Sequence, residues 1–175
     1  LYAGTHTLYA YQEGDNTNNI IRSNTFEYPF SKNQIPSVSI KNGQLNNPDN
    51  AKLILVNEVL EIENNTFDGL FTGLPGGKYV IRAYVEGNGS NILNSNEVHI
   101  EFTKIALPNI YVENDILVNE NNASLLLNGK EFDGNITDEF PVRESSIKAY
   151  IKGNGTTIID SDVKEISVFK YEQPA

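Results

Sequence analysis

The sequence contains no cysteine, methionine or tryptophan, and it is poor in positive charge. Without cysteine, disulfides, thiol nucleophiles and cysteine metal sites are excluded, which argues against a disulfide-stapled secreted domain. Lys and Arg number 13 against 23 Asp and Glu, a formal net charge of −10 that repels phosphate backbones. No apolar run approaches the roughly 18 residues of a membrane-spanning helix. We therefore expect no nucleic-acid partner and no membrane insertion.

Sequence signatures of catalysis are also absent. The chain has no Gly-x-Ser-x-Gly motif, no P-loop and no His-Glu-x-x-His motif. Its two histidines, His6 and His99, stand at non-equivalent places, as is typical of strand histidines rather than of a paired metal site. The sequence predicts a protein that is not an enzyme, with no catalytic residues and no cofactor except a candidate calcium ion.

Asparagine is abundant, and Val, Ile, Tyr and Phe are spread between the asparagine-rich steps. Asparagine favours turns and is poor inside helices, whereas β-branched and aromatic residues favour strands. Tyr79, Ile81 and Ala83 alternate with more polar residues, which predicts a strand with one buried face. Further strands are predicted over 51–57, 67–73, 98–102 and 123–127. The sequence therefore predicts an all-β chain.

Three stretches of the chain match one another. Residues 1–14, 74–87 and 140–153 each carry an Ala-Tyr pair near their end, and each is followed by a short apolar block within a polar loop. The unit ends 30–36, 102–108 and 168–174 also match. These matches predict a tandem repeat with domains at 1–33, 34–105 and 106–175, in which Pro36 and Pro108 open the first strand of a unit. Residues 173–175 would begin another unit.

The last hairpin of each unit resembles fibronectin type III and related immunoglobulin-like modules. The resemblance rests on residues 74–79 and on Ile81, Ala83, Gly87, Ser95 and Asn96. Residues 66–79 also look like collagen-adhesin B-type and carboxypeptidase-regulatory-like sandwiches. The family's tyrosine stands at Tyr79, but His6 and Ser145 replace it in the other units, so a tyrosine corner is not expected there.

What the resemblance implies is a series of tandem immunoglobulin-like or fibronectin type III-like β-sandwiches, similar to the surface repeats of bacteria and archaea. Such modules bind, space or scaffold, and they do not catalyse. We expect a structural or adhesive repeat region of an extracellular or cell-surface protein, acting as a stalk, surface layer or filament, whose partners are other protein chains or further copies of itself. The alternative is an accessory carbohydrate-binding region of a larger secreted enzyme, with candidate contacts at Tyr2, Tyr9, Tyr11, Tyr28, Tyr84 and Tyr150.

Two kinds of surface site are candidates. Oxygen-rich stretches at 13–16, 47–50 and 113–115 place Asp15, Asp49 and Asp115 where they would supply calcium ligands, although solvated turns explain the same residues. Asn-x-Ser/Thr sequons predict glycosylation, although an asparagine-rich chain contains such sequons by composition alone. The sequons are at Asn64, Asn88, Asn122, Asn135 and Asn154.

The first unit contains only the two last strands of the pattern. Its hairpin would present Leu8, Ala10, Phe26 and Tyr28 with no opposing sheet. Two hypotheses follow. Residues 1–33 belong to a longer array from which this piece was processed or excised, as the lack of any methionine also indicates, or a strand of another chain completes the unit.

Overall fold

The computed structural model describes residues 1–15, 19–136 and 140–172. Within these residues the chain forms sixteen strands in several sheets and no helix, which confirms the all-β prediction. No helix long and apolar enough to cross a membrane occurs in this part of the chain. Asn16, part of one candidate calcium stretch, and residues 173–175, predicted to begin another unit, lie outside the described residues.

We number the predicted units 1–33, 34–105 and 106–175 as the first, second and third segments. The first segment is an antiparallel hairpin of two strands, β1 (Gly4–Ala10) and β2 (Phe26–Lys32), with Ala10 opposite Phe26. The side chains of Leu8, Phe26 and Tyr28 are exposed, as the sequence predicts for a ribbon without an opposing sheet.

The second segment combines a short hairpin with a larger antiparallel sheet. The sheet has the order β9-β7-β5-β6, and the β3–β4 hairpin packs on it through Ile40 and Leu45. This arrangement is compatible with a β-sandwich. The strands are β3 (Ser39–Lys41), β4 (Gln44–Asn46), β5 (Lys52–Asn57), β6 (Ile62–Asn64), β7 (Gly77–Tyr84), β8 (Ile92–Leu93) and β9 (Val98–Lys104).

The third segment repeats this order of strands. Its hairpin β10–β11 corresponds to β3–β4, and its sheet β13-β12-β14-β16 corresponds to β6-β5-β7-β9. The strands are β10 (Ile110–Glu113), β11 (Ile116–Asn119), β12 (Ser124–Leu127), β13 (Lys130–Phe132), β14 (Arg143–Tyr150), β15 (Ile158–Ile159) and β16 (Lys164–Lys170).

The buried hydrophobic side chains form two clusters, one in each of these sheets. In the second segment Tyr79, Ile81 and Ala83 all face the core, which confirms the predicted alternation in β7. Ile147 and Ala149 occupy the same positions in β14 and are fully buried.

The prediction of a strand over 67–73 is wrong. These residues form bends and turns, in which Gly69 and Gly73 have φ of +89° and +82°. Left-handed backbone of this kind breaks an extended strand. Phe67 and Phe71 are nevertheless buried in the core, so the alternation in the sequence reflects anchoring of a loop rather than pairing of a strand.

Candidate functional site at the junctions between segments

The second and third segments are joined by a parallel pair of strands. Ile158 lies opposite Thr103, and Ile159 lies opposite Lys104. Thr103 N–H donates to the Thr157 carbonyl at 2.8 Å, and Ile105 N–H donates to the Ile159 carbonyl at 3.1 Å. The strand β15, carried by a loop of the third segment, therefore extends the sheet of the second segment at its edge.

The first and second segments are joined in the same way. Ser31 lies opposite Ile92 and Lys32 opposite Leu93, again in parallel. Ser31 N–H donates to the Asn91 carbonyl at 2.8 Å, and Asn33 N–H donates to the Leu93 carbonyl at 3.1 Å. These are the only parallel pairs among the described strands, so both junctions use a geometry found nowhere else in that part of the chain.

We call Ile92–Leu93 and Ile158–Ile159 the docking dipeptides. Ile159 is only 3% exposed, because its side chain belongs to the hydrophobic cluster of the second segment, together with Phe71 and Phe102. Burying such a side chain stabilises by about 1.5–3 kcal/mol. At the first junction the equivalent Leu93 is 41% exposed, since the first segment offers a hairpin but no opposing layer.

A buried lysine completes the second junction. Lys104 is 4% exposed, and its Nζ donates to the Asp160 carbonyl at 2.6 Å and to Asp162 Oδ1 at 2.9 Å. The other carboxylate oxygen of Asp162 accepts the Gly73 N–H at 2.8 Å. Burial opposes ionisation of Asp162, but the hydrogen bonds from Lys104 and Gly73 and the charge of Lys104 outweigh it and lower the pKa of that carboxyl.

The first junction has a lysine at the equivalent position and a neutral partner. Lys32 Nζ donates to Asn96 Oδ1 at 2.6 Å and to the Leu1 carbonyl at 3.1 Å. Asn96 stands where the third segment has Asp162. One junction therefore contains an ion pair, and the other contains a lysine–amide hydrogen bond between the equivalent positions.

The loops that carry the docking dipeptides are held by a serine. Ser95 Oγ accepts the Val85 N–H at 2.9 Å and donates to the Asn96 carbonyl at 2.8 Å. Ser161 makes the same two bonds with Ile151 and Asp162. Both serine side chains are buried, and both make hydrogen bonds to the backbone. They therefore hold the loops in place without the free-energy penalty of a buried, unpaired polar group.

A glycine at the start of each loop allows the chain to turn tightly. A Cβ on Gly87 would lie 2.0 Å from the Ile92 carbonyl oxygen, and one on Gly153 would lie 2.1 Å from that of Ile158. Only glycine fits this close approach of backbone to backbone. The turn tip also touches the preceding segment, because Gly43 N–H donates to the Gly155 carbonyl at 2.9 Å.

The corner hydrogen bond of Tyr79 has a counterpart at His6, although the first segment has no tyrosine at that position. Tyr79 Oη donates to the Pro75 carbonyl at 2.9 Å, and its ring stacks on Phe102. His6, at the equivalent position, places Nε2 at 2.8 Å from the Tyr2 carbonyl and stacks on Phe30. Because a carbonyl only accepts, Nε2 must be the protonated nitrogen.

The equivalence of His6 and Tyr79 was not predicted from the sequence, because the two residues are of different types. The signal in the sequence was an aromatic ring with a polar edge, a property that His6 shares with Tyr79. Ser145, the third residue at this position, is buried but lacks such a ring.

Of the three candidate calcium residues, Asp49 and Asp115 lie in turns, and Asp15 forms a β-bridge with Ile20. Asp49 Oδ2 accepts the Ser37 N–H at 2.7 Å, and Asp115 occupies the β10–β11 turn with φ of 63°. Asp15 N–H donates to the Ile20 carbonyl at 2.9 Å. Among the described residues, no group of three or more acidic or histidine side chains is close enough to hold a metal ion. The calcium sites stay a prediction.

All five sequon asparagines are exposed: Asn64, Asn88, Asn122, Asn135 and Asn154. Asn88 and Asn154 also shape the docking loops, since Asn88 Oδ1 accepts the Ile92 N–H and Asn154 Oδ1 accepts the Ile158 N–H, both at 2.8 Å. Glycosylation at these positions stays a prediction.

The remaining candidate groups are spread over the surface. Tyr2 and Tyr9 are exposed, and Tyr11 is covered by the Arg22 guanidinium at 3.4 Å from the ring centre. Tyr28 is exposed, whereas Tyr84 and Tyr150 are half-buried.

His99 lies on an exposed sheet face beside an ion-pair network. Its Nε2 is 3.0 Å from Glu97 Oε2, and Arg82 bridges Glu97 and Glu63. The hydrogen bond from His99 and the contacts with Arg82 lower the pKa of Glu97.

Comparison of the chain with protein-family models, with curated proteins and with solved structures found no match.

Proposed function

We propose that this chain is a non-catalytic structural region of an extracellular or cell-surface protein, in which tandem immunoglobulin-like modules form a stiff stalk. The modules correspond to 34–105 and 106–175, and 1–33 supplies the last hairpin of a preceding one. The fibronectin type III-like assignment is supported by the hairpin-on-sheet arrangement and by the Tyr79 corner bond.

The repeated junction is the observation that carries this proposal. Two flexibly linked domains need no shared strand pairing, whereas here each neighbouring pair shares a parallel bridge with the same hydrogen bonds. At the second junction, the buried Ile159 and the Lys104–Asp162 ion pair add side-chain contacts to this bridge. Such contacts fix the orientation of one module on the next, which is the property a spacer needs.

Spin-label distances test the stiffness directly. The chain has no cysteine, so Val59→Cys and Ile116→Cys, both at exposed positions, give one label on each side of the second junction. We expect one narrow distance distribution between the labels. Ile159→Asp should broaden it, whereas Ile158→Asp, at the more exposed neighbouring residue, should broaden it much less. A distribution that is already broad in the parent chain would overturn the stalk proposal.

A further inference from the structure

The chain contains four Asn-Gly steps, at residues 42–43, 88–89, 128–129 and 154–155. Such a step is able to modify itself, because glycine has no Cβ to hinder the approach of its nitrogen to the asparagine side chain. The glycine nitrogen bonds to the amide carbon, and the amide group takes the nitrogen's proton and leaves as ammonia. Water then opens the resulting succinimide ring and leaves an aspartyl or an isoaspartyl residue. Each step is therefore a candidate site of deamidation.

Two of these steps lie in docking loops, where hydrogen bonds hold the asparagine side chain. Asn154 Oδ1 accepts the N–H groups of Thr157 at 3.0 Å and of Ile158 at 2.8 Å, and its Nδ2 donates to Thr157 Oγ1 at 2.9 Å. Asn88 Oδ1 likewise accepts two backbone N–H groups of its own loop. These bonds must break before either amide can turn toward the attacking nitrogen, so we expect both steps to react slowly.

The side chain of Asn42 is not held in this way. Asn42 and Gly43 form the tight turn between β3 and β4, with φ of 51° and 72°. The Asn42 side chain is exposed, and it makes no hydrogen bond within the part of the chain that the structure describes. The amide of Asn42 is therefore free to turn toward Gly43 N.

The attacking nitrogen of this step is covered by the third segment instead. Gly43 N–H donates to the Gly155 carbonyl at 2.9 Å across the second junction. Gly155 also lies against the peptide bond itself, since a Cβ on it would be 3.2 Å from both Asn42 Cα and Gly43 N. Ring closure requires this peptide bond to move and its nitrogen to lose its proton, and the docked loop opposes both changes.

Turn formation alone does not require this glycine. The equivalent turn of the third segment is Asn114–Asp115, with φ of 49° and 63°. Asparagine and aspartate both tolerate left-handed backbone, so that turn forms without a glycine. The Asn-Gly step is thus present in the β3–β4 turn, which touches the neighbouring segment, and absent from its counterpart.

We propose that Asn42 is a self-deamidation site controlled by the second junction. While the loop of the third segment is docked, Gly155 holds Gly43 N and the step is inert. When the junction opens, Gly43 N attacks Asn42 Cγ, ammonia leaves and water opens the ring. The isoaspartyl product has an additional methylene group in its backbone, so the turn no longer fits under Gly155. This inference goes beyond the proposed function, because it requires the docked junction but neither a stalk nor an extracellular location.

Peptide mapping by mass spectrometry measures the reaction at each Asn-Gly step separately. The full chain is incubated at mildly alkaline pH, and the same chain unfolded in urea gives the unprotected rates. We expect Asn42 to react about 10-fold or more slowly in the folded chain than in urea, which corresponds to about 1.4 kcal/mol or more for opening the junction. Equal rates at Asn42 in the folded and unfolded chains would overturn the inference.

Gly155→Ala tests the role of the docked loop. Gly155 has φ of +74°, and its new Cβ would press on the peptide bond that follows Asn42, so the loop should lift and the rate at Asn42 should rise. Gly89→Ala is the matched control, because Gly89 has φ of +71° and its Cβ would meet no atom within 4 Å. It should leave the rate at Asn42 unchanged. Asn128, which makes none of the described junction contacts, should react equally in all variants.

Ile159→Asp opens the same junction through the hydrophobic cluster and should raise the rate at Asn42 about 10-fold or more. Faster amide exchange at Thr103 and Ile105 shows that the junction has opened. If circular dichroism shows that this variant unfolds, Gly155→Ala and Asp162→Ala decide instead. An open junction with an unchanged rate at Asn42 would overturn the inference. Narrow spin-label distances together with an unprotected Asn42 would overturn this inference and leave the stalk proposal standing.

Discussion

Lys104 and Asp162 form an ion pair at 2.9 Å although 58 residues separate them in the sequence. The lysine belongs to the last strand of the second segment, and the aspartate belongs to the docking loop of the third. At the first junction the same pair of positions holds Lys32 and Asn96, at 2.6 Å. The two junctions therefore pair equivalent positions but differ in the charge of the acceptor, so the first junction serves as a neutral reference for the second.

The second junction should weaken in acid. The pKa of Asp162 is lowered in the folded chain, so its ionised form contributes stability that is fully present above the ordinary value of 3.8 and is lost as the pH falls through the lower folded pKa. We expect the amide resonances of Thr103 and Ile105 to shift below about pH 4. Those of Ser31 and Asn33 at the first junction should not follow the same transition, because Asn96 does not titrate.

Exchanging the acceptor residues Asp162 and Asn96 should move the acid transition from the second junction to the first. Asp162→Asn keeps an acceptor for Lys104 and should remove the acid transition at the second junction. Asn96→Asp should create one at the first, beside Lys32. Asp162→Ala leaves the buried ammonium without its carboxylate and should cost about 3 kcal/mol. Acid transitions that are unchanged by the exchange would show that another carboxyl is responsible.

Ile159→Ala should loosen the second segment although residue 159 lies in the third. The substitution leaves a cavity in the cluster around Phe102, and we expect a loss of about 2–4 kcal/mol in the free energy of unfolding. Amide hydrogen exchange of Thr103 and Ile105 should become faster, because their N–H groups bond across the junction. Ile158→Ala is the matched control, with an expected loss below about 1 kcal/mol. Equal losses would mean that Ile159 is not anchored in the core.

Gly153→Ala should distort the docking loop. Its Cβ would lie 2.1 Å from the Ile158 carbonyl oxygen, so the backbone must move, at a cost of about 1–3 kcal/mol or more. Gly77→Ala, where the nearest atom would be 3.7 Å away, should cost much less. Thermal melting of the two variants measures the difference, and equal melting temperatures would contradict the close approach.

Tyr79→Phe should remove the corner bond and leave the buried ring in place. The Pro75 carbonyl then loses its donor, and we expect a loss of about 1 kcal/mol in denaturant unfolding. Tyr9→Phe, at an exposed tyrosine, should have little effect. If Tyr79→Phe is as neutral as Tyr9→Phe, the hydroxyl does not contribute to stability.

The sequence predicted those strands in which buried and exposed residues alternate along the strand itself. The alternation through Ile81 and Ala83 identified β7, and its copy through Ile147 and Ala149 identified β14, because a buried face imposes a period of two. It failed at 67–73, where buried phenylalanines anchor a loop. Residues 67–73 differ from β7 and β14 because Gly69 and Gly73 adopt a left-handed backbone conformation. The alternation of apolar and polar residues does not reveal this conformation.

The junctions could not be predicted from such patterns. A docking dipeptide such as Ile158–Ile159 is too short to show a period, and its partner strand lies in another segment. The available signal was the recurrence of two adjacent apolar residues in an otherwise polar loop, in all three copies. The recurrence marks equivalent positions in the three segments, but it does not indicate which surface covers these side chains, since Ile159 is 3% exposed and Ile21 is 89% exposed.

The burial of Ile159 in the second segment also bears on the order in which the segments can complete their cores. The second segment receives the core residue Ile159 from the segment that follows it, and the first segment is paired in the same direction by Ile92–Leu93. None of the described contacts shows the reverse transfer of a docking dipeptide. On the ribosome, where the chain emerges from its N-terminus, the second segment can finish its core only after the third has been made. At a junction of this kind, the core of the earlier segment is therefore completed only after the later segment has been made.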